Sequence, residues 1–176
     1  MKKDEHIAKT LISEEEINKK VKELASQISN DLKDKENIPC IIGLLKGSFI
    51  FIADLARHID VPVEIDFMIV SSYGNNKIGS EIKILKDVDI PLTGRDVIIV
   101  EDIIDTGYTL EKICEVLQTR NVASLKICTL LNKPSRRKAD IKIDYNGFDI
   151  EDEFVVGYGI DYSQKYRNLP YIGVVE

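Results

Sequence analysis

Residues 97–110 read VIIVEDIIDTGYTL, with Glu101, Asp102 and Asp105 following the apolar run Val97–Val100 and the Thr106-Gly107-Tyr108-Thr109 turn closing it. An apolar run without polar alternation is a strand covered on both faces, as at the centre of a parallel sheet. The turn leads into a helix predicted from about Thr109 to Arg120, so the stretch reads strand, turn, helix. In an open parallel sheet ligands bind beyond the carboxyl ends of the strands, and these residues leave such an end.

The same alternation extends in both directions. Downstream, SLKICTLLN (124–132) is a second strand apolar on both faces. Upstream, CIIGLL (40–45) is a short apolar run after Asn37-Ile38-Pro39, and SFIFIADLARHI (48–59) follows it at helical spacing. Ser13 and Glu16 form a capping-box pattern ahead of Ile17, Val21, Leu24, Ala25, Ile28 and Leu32, which predicts a long amphipathic helix. VEIDFMIV (63–70) and EIKILKDV (81–88) alternate as strands around the polar segment SSYGNNKIGS. From Phe148 the tail mixes short β-like runs with aromatic and charged residues, and reads as a cap over the sheet edge. The fold class is therefore α/β, a mostly parallel central sheet flanked by helices.

With 176 residues and 44% hydrophobic composition, one domain with a substantial core is expected. No stretch approaches the roughly 18 apolar residues of a membrane span, and MKKDEHIAKTLISEEE lacks the apolar segment of a secretory signal, so a cytoplasmic protein without membrane partners is expected. The net charge of −6 disfavours nucleic acid. Cys40, Cys114 and Cys128 are odd in number and lie in apolar contexts, as reduced core thiols do. With only His6 and His58 in the chain, a histidine zinc site or a Ser-His-Asp triad is disfavoured.

Chemistry concentrates in the opening stretch. Consecutive N–H groups of a Thr-Gly-x-Thr turn at a helix start form an anion cradle, to which the two hydroxyls add donors. Three carboxylates beside a bound phosphate would repel it unless they face something else. Vicinal ribose hydroxyls and Mg²⁺ are the natural partners, since carboxylates accept from hydroxyls and hard cations prefer oxygen. Asp-Thr-Gly is also an aspartic-protease signature, but that chemistry needs a second aspartate and β-rich surroundings. The Walker and dinucleotide-binding glycine patterns are absent.

VIIVEDIIDTGYTL resembles the phosphoribosyl-pyrophosphate motif of type I phosphoribosyltransferases. Together with LLKGSF, SSYG, LLNKPSRR and EFVVGYGIDYSQKYRNLPYIG, in that order from about Ile7 to the C-terminus, it resembles the bacterial-type hypoxanthine(-guanine) phosphoribosyltransferase family. The resemblance implies the type I fold across residues 1–176, with a mobile active-site loop at about 71–80 and a small base-binding hood at about 148–176. It assigns Asp105, Thr106, Gly107, Tyr108 and Thr109 to the 5′-phosphate, and Glu101 and Asp102 to the ribose hydroxyls and Mg²⁺. Asp105 is also the implied general base or proton relay at purine N7.

The same resemblance places Lys46 and Gly47, after a cis peptide, on pyrophosphate. Read alone, they are only a strand end. Lys133 would donate to O6 of the base and reject an amino group there, although alone it is an ordinary surface lysine before a proline. Ile104, Phe154 and Val155 would meet the base, Phe154 by stacking. Asp161 would hold the pyrophosphate-side Mg²⁺ and Arg167 the pyrophosphate. Ser72 and Tyr73 match the loop that closes over the reaction centre. Glu151 stands where relatives often have proline, which bears on the local turn rather than the chemistry.

The implied activity is Mg²⁺-dependent transfer of 5-phosphoribosyl from phosphoribosyl pyrophosphate to a 6-oxopurine, in a homodimer or homotetramer. A nucleotide-sensing regulator on the same fold and a xanthine-preferring transferase are the rivals.

Overall fold

A computed structural model describes residues 7–72 and 82–175. Its main sheet has six strands in the order β4-β3-β2-β5-β6-β7: β2 (Cys40–Leu45), β3 (Glu64–Ser72), β4 (Ile82–Lys86), β5 (Asp96–Ile104), β6 (Ser124–Asn132) and β7 (Tyr145–Asp149). All neighbours pair in parallel except β3 with the edge strand β4. Three helices cover it: α1 (Glu14–Leu32), α2 (Phe49–His58) and α3 (Tyr108–Gln118).

The both-faced strands explain the layering. Along β5, Ile98 and Val100 enter one core with α1 and α2, while Val97 and Ile99 enter the other with α3. β2 alternates likewise, Ile41 on the first side and Cys40, Ile42 and Leu44 on the second. The helix α1 begins with the expected reciprocal cap, Glu16 N–H donating to Ser13 Oγ at 3.3 Å and Ser13 N–H to Glu16 Oε2 at 2.8 Å.

The sheet order places a switch point at its centre. From β2 the chain moves outward to β3 and β4, then returns to set β5 on the other side of β2. The crevice between the carboxyl ends of β2 and β5 is where such a sheet binds ligands.

The tail is more than an edge cap. β9 (Ile172–Val175) pairs antiparallel with the N-terminal strand β1 (Ile7–Ile12) and with β8 (Val155–Val156), giving a separate three-stranded sheet β1-β9-β8. The first described strand was not expected, because its partner lies at the far end of the chain. Of the expected loop, Ser72 ends β3, whereas Tyr73 and the rest of 73–81 lie outside the described residues. Among the described residues no helix is long and apolar enough to cross a membrane.

The three cysteines are free thiols. Burial pushes the Cys114 thiol up to about 11, Cys40 to about 12 and Cys128 up as well, which suppresses the thiolate that attacks disulfides. A chromogenic disulfide reagent at mildly alkaline pH should therefore modify essentially no thiol of the folded protein within minutes, and all three after unfolding. Rapid labelling of the native protein would contradict this packing.

Candidate active site

The site grows from two strand ends. At the end of β2 the Leu45-Lys46 peptide is cis, as the family resemblance implied, and Lys46 is exposed. Gly47 follows against the carboxylate of Asp102 from β5. A Cβ on Gly47 would stand 1.9 Å from Asp102 Oδ2 and 2.4 Å from its Cγ, so only glycine allows this approach.

Asp102 is 7% exposed and shares a hydrogen bond with Glu101. Loss of solvent and the neighbouring Asp102 charge push Glu101 well above the ordinary carboxyl range. Burial raises Asp102 too, opposed by its hydrogen bonds and by the positive charge of Arg167. Two adjacent carboxylates whose ionisation burial disfavours suit a divalent cation, which would favour both charges. No group of three carboxylate, histidine or cysteine side chains gathers among the described residues. The arrangement fits Mg²⁺, which commonly takes one or two carboxylates and completes its shell with water and substrate phosphate oxygens.

Beyond Asp102 the chain turns at Gly107, which caps α3 with φ 85° and offers no side-chain cap. A side chain there would be strained by that φ and crowded by Ile141, whose Cδ1 lies 3.0 Å from the Cβ position. The first intrahelical bond runs from Glu111 N–H to Gly107 O at 2.9 Å, so the N–H groups opening the helix have no intrahelical acceptor. Asp105, Thr106, Gly107 and Thr109 line a cavity of about 310 Å³, whose other walls include Glu101, Ile104, Gly47 and Leu45. The residues of the expected phosphate cradle and the Glu101 carboxylate thus border one space.

Beside this cavity, Lys133 follows β6 and is 8% exposed. Its N–H donates to Ile104 O at 3.0 Å, and its Nζ reaches Asp152 Oδ1 at 3.4 Å. The buried lysine is thus not the surface residue its local sequence describes. Two residues past Asp152, Phe154 is 54% exposed, packs edge-to-face on Tyr162 at 5.5 Å between centroids, and is followed by buried Val155. An exposed aromatic ring can stack on a flat heterocycle.

Arg167 and Asp161 are brought together, Nη2 to Oδ1 at 2.7 Å. Arg167 Nη1 also donates to Gly159 O at 2.7 Å, and a Cβ on Gly159 would begin 2.1 Å from Gly47 O. The tail is thereby seated on the β2 end.

Two arginines that sequence reasoning passed over belong to the site. Arg136 clamps Asp105, with Nε 2.8 Å from Oδ1 and Nη2 3.3 Å from Oδ2. Arg137 donates to Asp105 O at 3.3 Å, to Ile104 O at 3.4 Å and to the Asn132 side chain. Their only signal was the Ser-Arg-Arg of LLNKPSRR.

A crevice that joins a helix-start anion cradle, a carboxylate pair and a separate platform for a planar ring is that of an enzyme acting on a sugar phosphate. The chain belongs to the phosphoribosyl transferase domain family, whose model matches residues 9–163. It is 56% identical to the hypoxanthine-guanine phosphoribosyltransferase of Bacillus subtilis, over 97% of this chain and 94% of that one. The fold resembles a hypoxanthine phosphoribosyltransferase from Staphylococcus aureus, at TM-score 0.93 and 48% identity over 97% and 92% of the two chains. It also resembles a hypoxanthine-guanine phosphoribosyltransferase from Bacillus anthracis, at TM-score 0.92 and 52% identity over 97% and 99%. The family suggested by the sequence motifs is the family these comparisons return.

Proposed function

We propose that the protein transfers the 5-phosphoribosyl group of phosphoribosyl pyrophosphate to N9 of hypoxanthine, and also of guanine, releasing pyrophosphate in purine salvage. The observation that carries this reading is the switch-point crevice, where the β5 carboxylates and the α3 start meet Gly47 on one side and Lys133 on the other. The N9–C1′ bond forms as the bond from C1′ to pyrophosphate breaks, and the base gives up one proton.

In this reading Thr106, Gly107, Tyr108 and Thr109 hold the 5′-phosphate through backbone N–H groups and hydroxyls. Glu101 and Asp102 take the ribose hydroxyls. Glu101 and Asp102 would hold the ribose-side Mg²⁺ and Asp161 the pyrophosphate-side Mg²⁺, whose charge would offset that of the pyrophosphate. Lys46, Gly47 and Arg167 receive the leaving pyrophosphate, Arg167 with a planar donor fork. Asp105 accepts the proton at N7. Lys133 donates to O6, Phe154 stacks on the ring, and Ile104 and Val155 close its edge. The small sheet then acts as the base-binding hood of a single domain, and Ser72 and Tyr73 lead the loop that excludes water. Assembly as a homodimer or homotetramer and a cytoplasmic location rest on the family resemblance.

The test is pyrophosphate release by purified protein with phosphoribosyl pyrophosphate and Mg²⁺, offering hypoxanthine, guanine, xanthine and adenine in parallel beside a metal-free control. Release with the first two bases and not with adenine supports the reading. Preference for xanthine would change the substrate. No release despite binding of phosphoribosyl pyrophosphate would replace transfer by nucleotide sensing.

A further inference from the structure

The ion pairs of Arg136 form a chain across the base side of the crevice. Its Nε and Nη2 meet the two oxygens of Asp105, Nη1 donates to Asp152 Oδ2 at 3.3 Å, and Asp152 Oδ1 takes Lys133 Nζ at 3.4 Å. Two members of this chain, Asp105 and Lys133, are the groups that the proposed transfer sets on N7 and O6. The other two, Arg136 and Asp152, are given no role by that transfer.

Stability does not explain the chain. Arg136, Asp105 and Asp152 keep 41%, 42% and 51% of their side-chain surface, and ion pairs this open contribute little to folding. Orientation does explain it. A guanidinium bonded to both oxygens of a carboxylate fixes its plane as well as its position, which a single donor or a lysine ammonium cannot do. The clamp is itself anchored: Arg136 ends the short 3-10 turn Pro134–Arg136, its N–H donates to Lys133 O at 3.1 Å, and Lys133 N–H is bonded to the end of β5. Arg137 holds the backbone of the same segment, leaving Arg136 to hold the side chain.

We propose that Arg136 is a positioning residue for the base-side chemistry, orienting Asp105 toward N7. This rests on the transferase reading above. Without the fork Asp105 samples several rotamers, and the fraction poised to accept the proton falls, while the cradle that binds phosphoribosyl pyrophosphate is untouched.

The experiment is a double-mutant cycle between Arg136→Ala and Asp105→Asn, read by single-turnover pyrophosphate release at high enzyme concentration, with phosphoribosyl-pyrophosphate binding measured calorimetrically. Arg136→Ala should lower kcat/KM for hypoxanthine about ten-fold or more and leave binding of phosphoribosyl pyrophosphate within about two-fold. In the Asp105→Asn background the same change should cost less than about two-fold, since the group it positions has lost its function. Arg136→Gln, which keeps a donor but not the fork, should behave alike and serves if the alanine variant misfolds. An equal loss in both backgrounds, or no loss in either, overturns the proposal while the wild-type enzyme still turns over. A wild-type protein that releases no pyrophosphate overturns the transferase reading and this inference with it.

Discussion

Asp105→Asn should lower kcat by about a hundred-fold or more while binding of phosphoribosyl pyrophosphate stays within a few-fold, because general-base transfer contributes roughly 10²–10⁴ in rate. The substitution is close to isosteric, and the remaining carbonyl oxygen can still accept from Arg136 Nε, now 2.8 Å from Oδ1. The segment also stays tied down by the backbone. Lys138 N–H and Ala139 N–H donate to Thr106 O at 2.9 and 3.0 Å, and Arg137 holds Asp105 O. What disappears is a side chain able to take a proton. The proposed phosphate donors belong to the backbone and to Thr106 and Thr109, so the ground-state complex should survive. Rapid-quench turnover beside calorimetric titration separates the two effects. Turnover within a few-fold of wild type would remove Asp105 from proton transfer and leave it a structural partner of Arg136.

How much of this was legible in the sequence depends on how local the physics is. The α1 cap was readable from Ser13 and Glu16 because both partners of the reciprocal bond sit within one turn. β5 was readable because a strand buried on both faces needs an unbroken apolar run, and the helix following it needs only the change of period at Thr109. The β1–β9 pairing was not readable. Its two strands carry no cue to each other, and their register joins Ile12 to Ile172 across nearly the whole chain.

The same division runs through the site. The carboxylates and the Thr-Gly-x-Thr turn share one segment, so their chemistry follows from residue type and spacing alone. Arg136 could not be found this way: its contact with Asp105 spans 31 positions, and Ser-Arg-Arg after a proline has the composition of a solvated turn. Lys133 was misread by composition for the same reason. It meets the Asp152 side chain and the Ile104 carbonyl, both distant in sequence. Motif resemblance supplied Lys133 because it records the outcome of such contacts without their cause.

Gly47 shows how far a contact of this kind can matter, and its substitution is expected to cripple the opposite half of the site from Asp105→Asn. A methyl group at Gly47 would overlap Asp102 Oδ2 and Cγ, at 1.9 and 2.4 Å. Either the carboxylate or the Lys46-Gly47 backbone must move. Asp102 has little room, being 7% exposed and bonded to Glu101. The backbone has little either, because Gly159 closes on Gly47 O from the other side. Each escape displaces a group that the proposed reaction uses, the carboxylate on ribose and Mg²⁺ or the strand end on pyrophosphate. A misplacement of about 1 Å in such a group can cost about a hundred-fold, so Gly47→Ala should lower kcat/KM for phosphoribosyl pyrophosphate by about that factor, or ~2.7 kcal/mol. Calorimetry should show weakened Mg²⁺-dependent binding of phosphoribosyl pyrophosphate, where Asp105→Asn shows no such weakening. The two variants thus separate the sugar-phosphate half of the crevice from the base half. Near-normal kcat/KM in Gly47→Ala, with an unchanged thermal midpoint, would mean that the approach of β2 to Asp102 is packing alone.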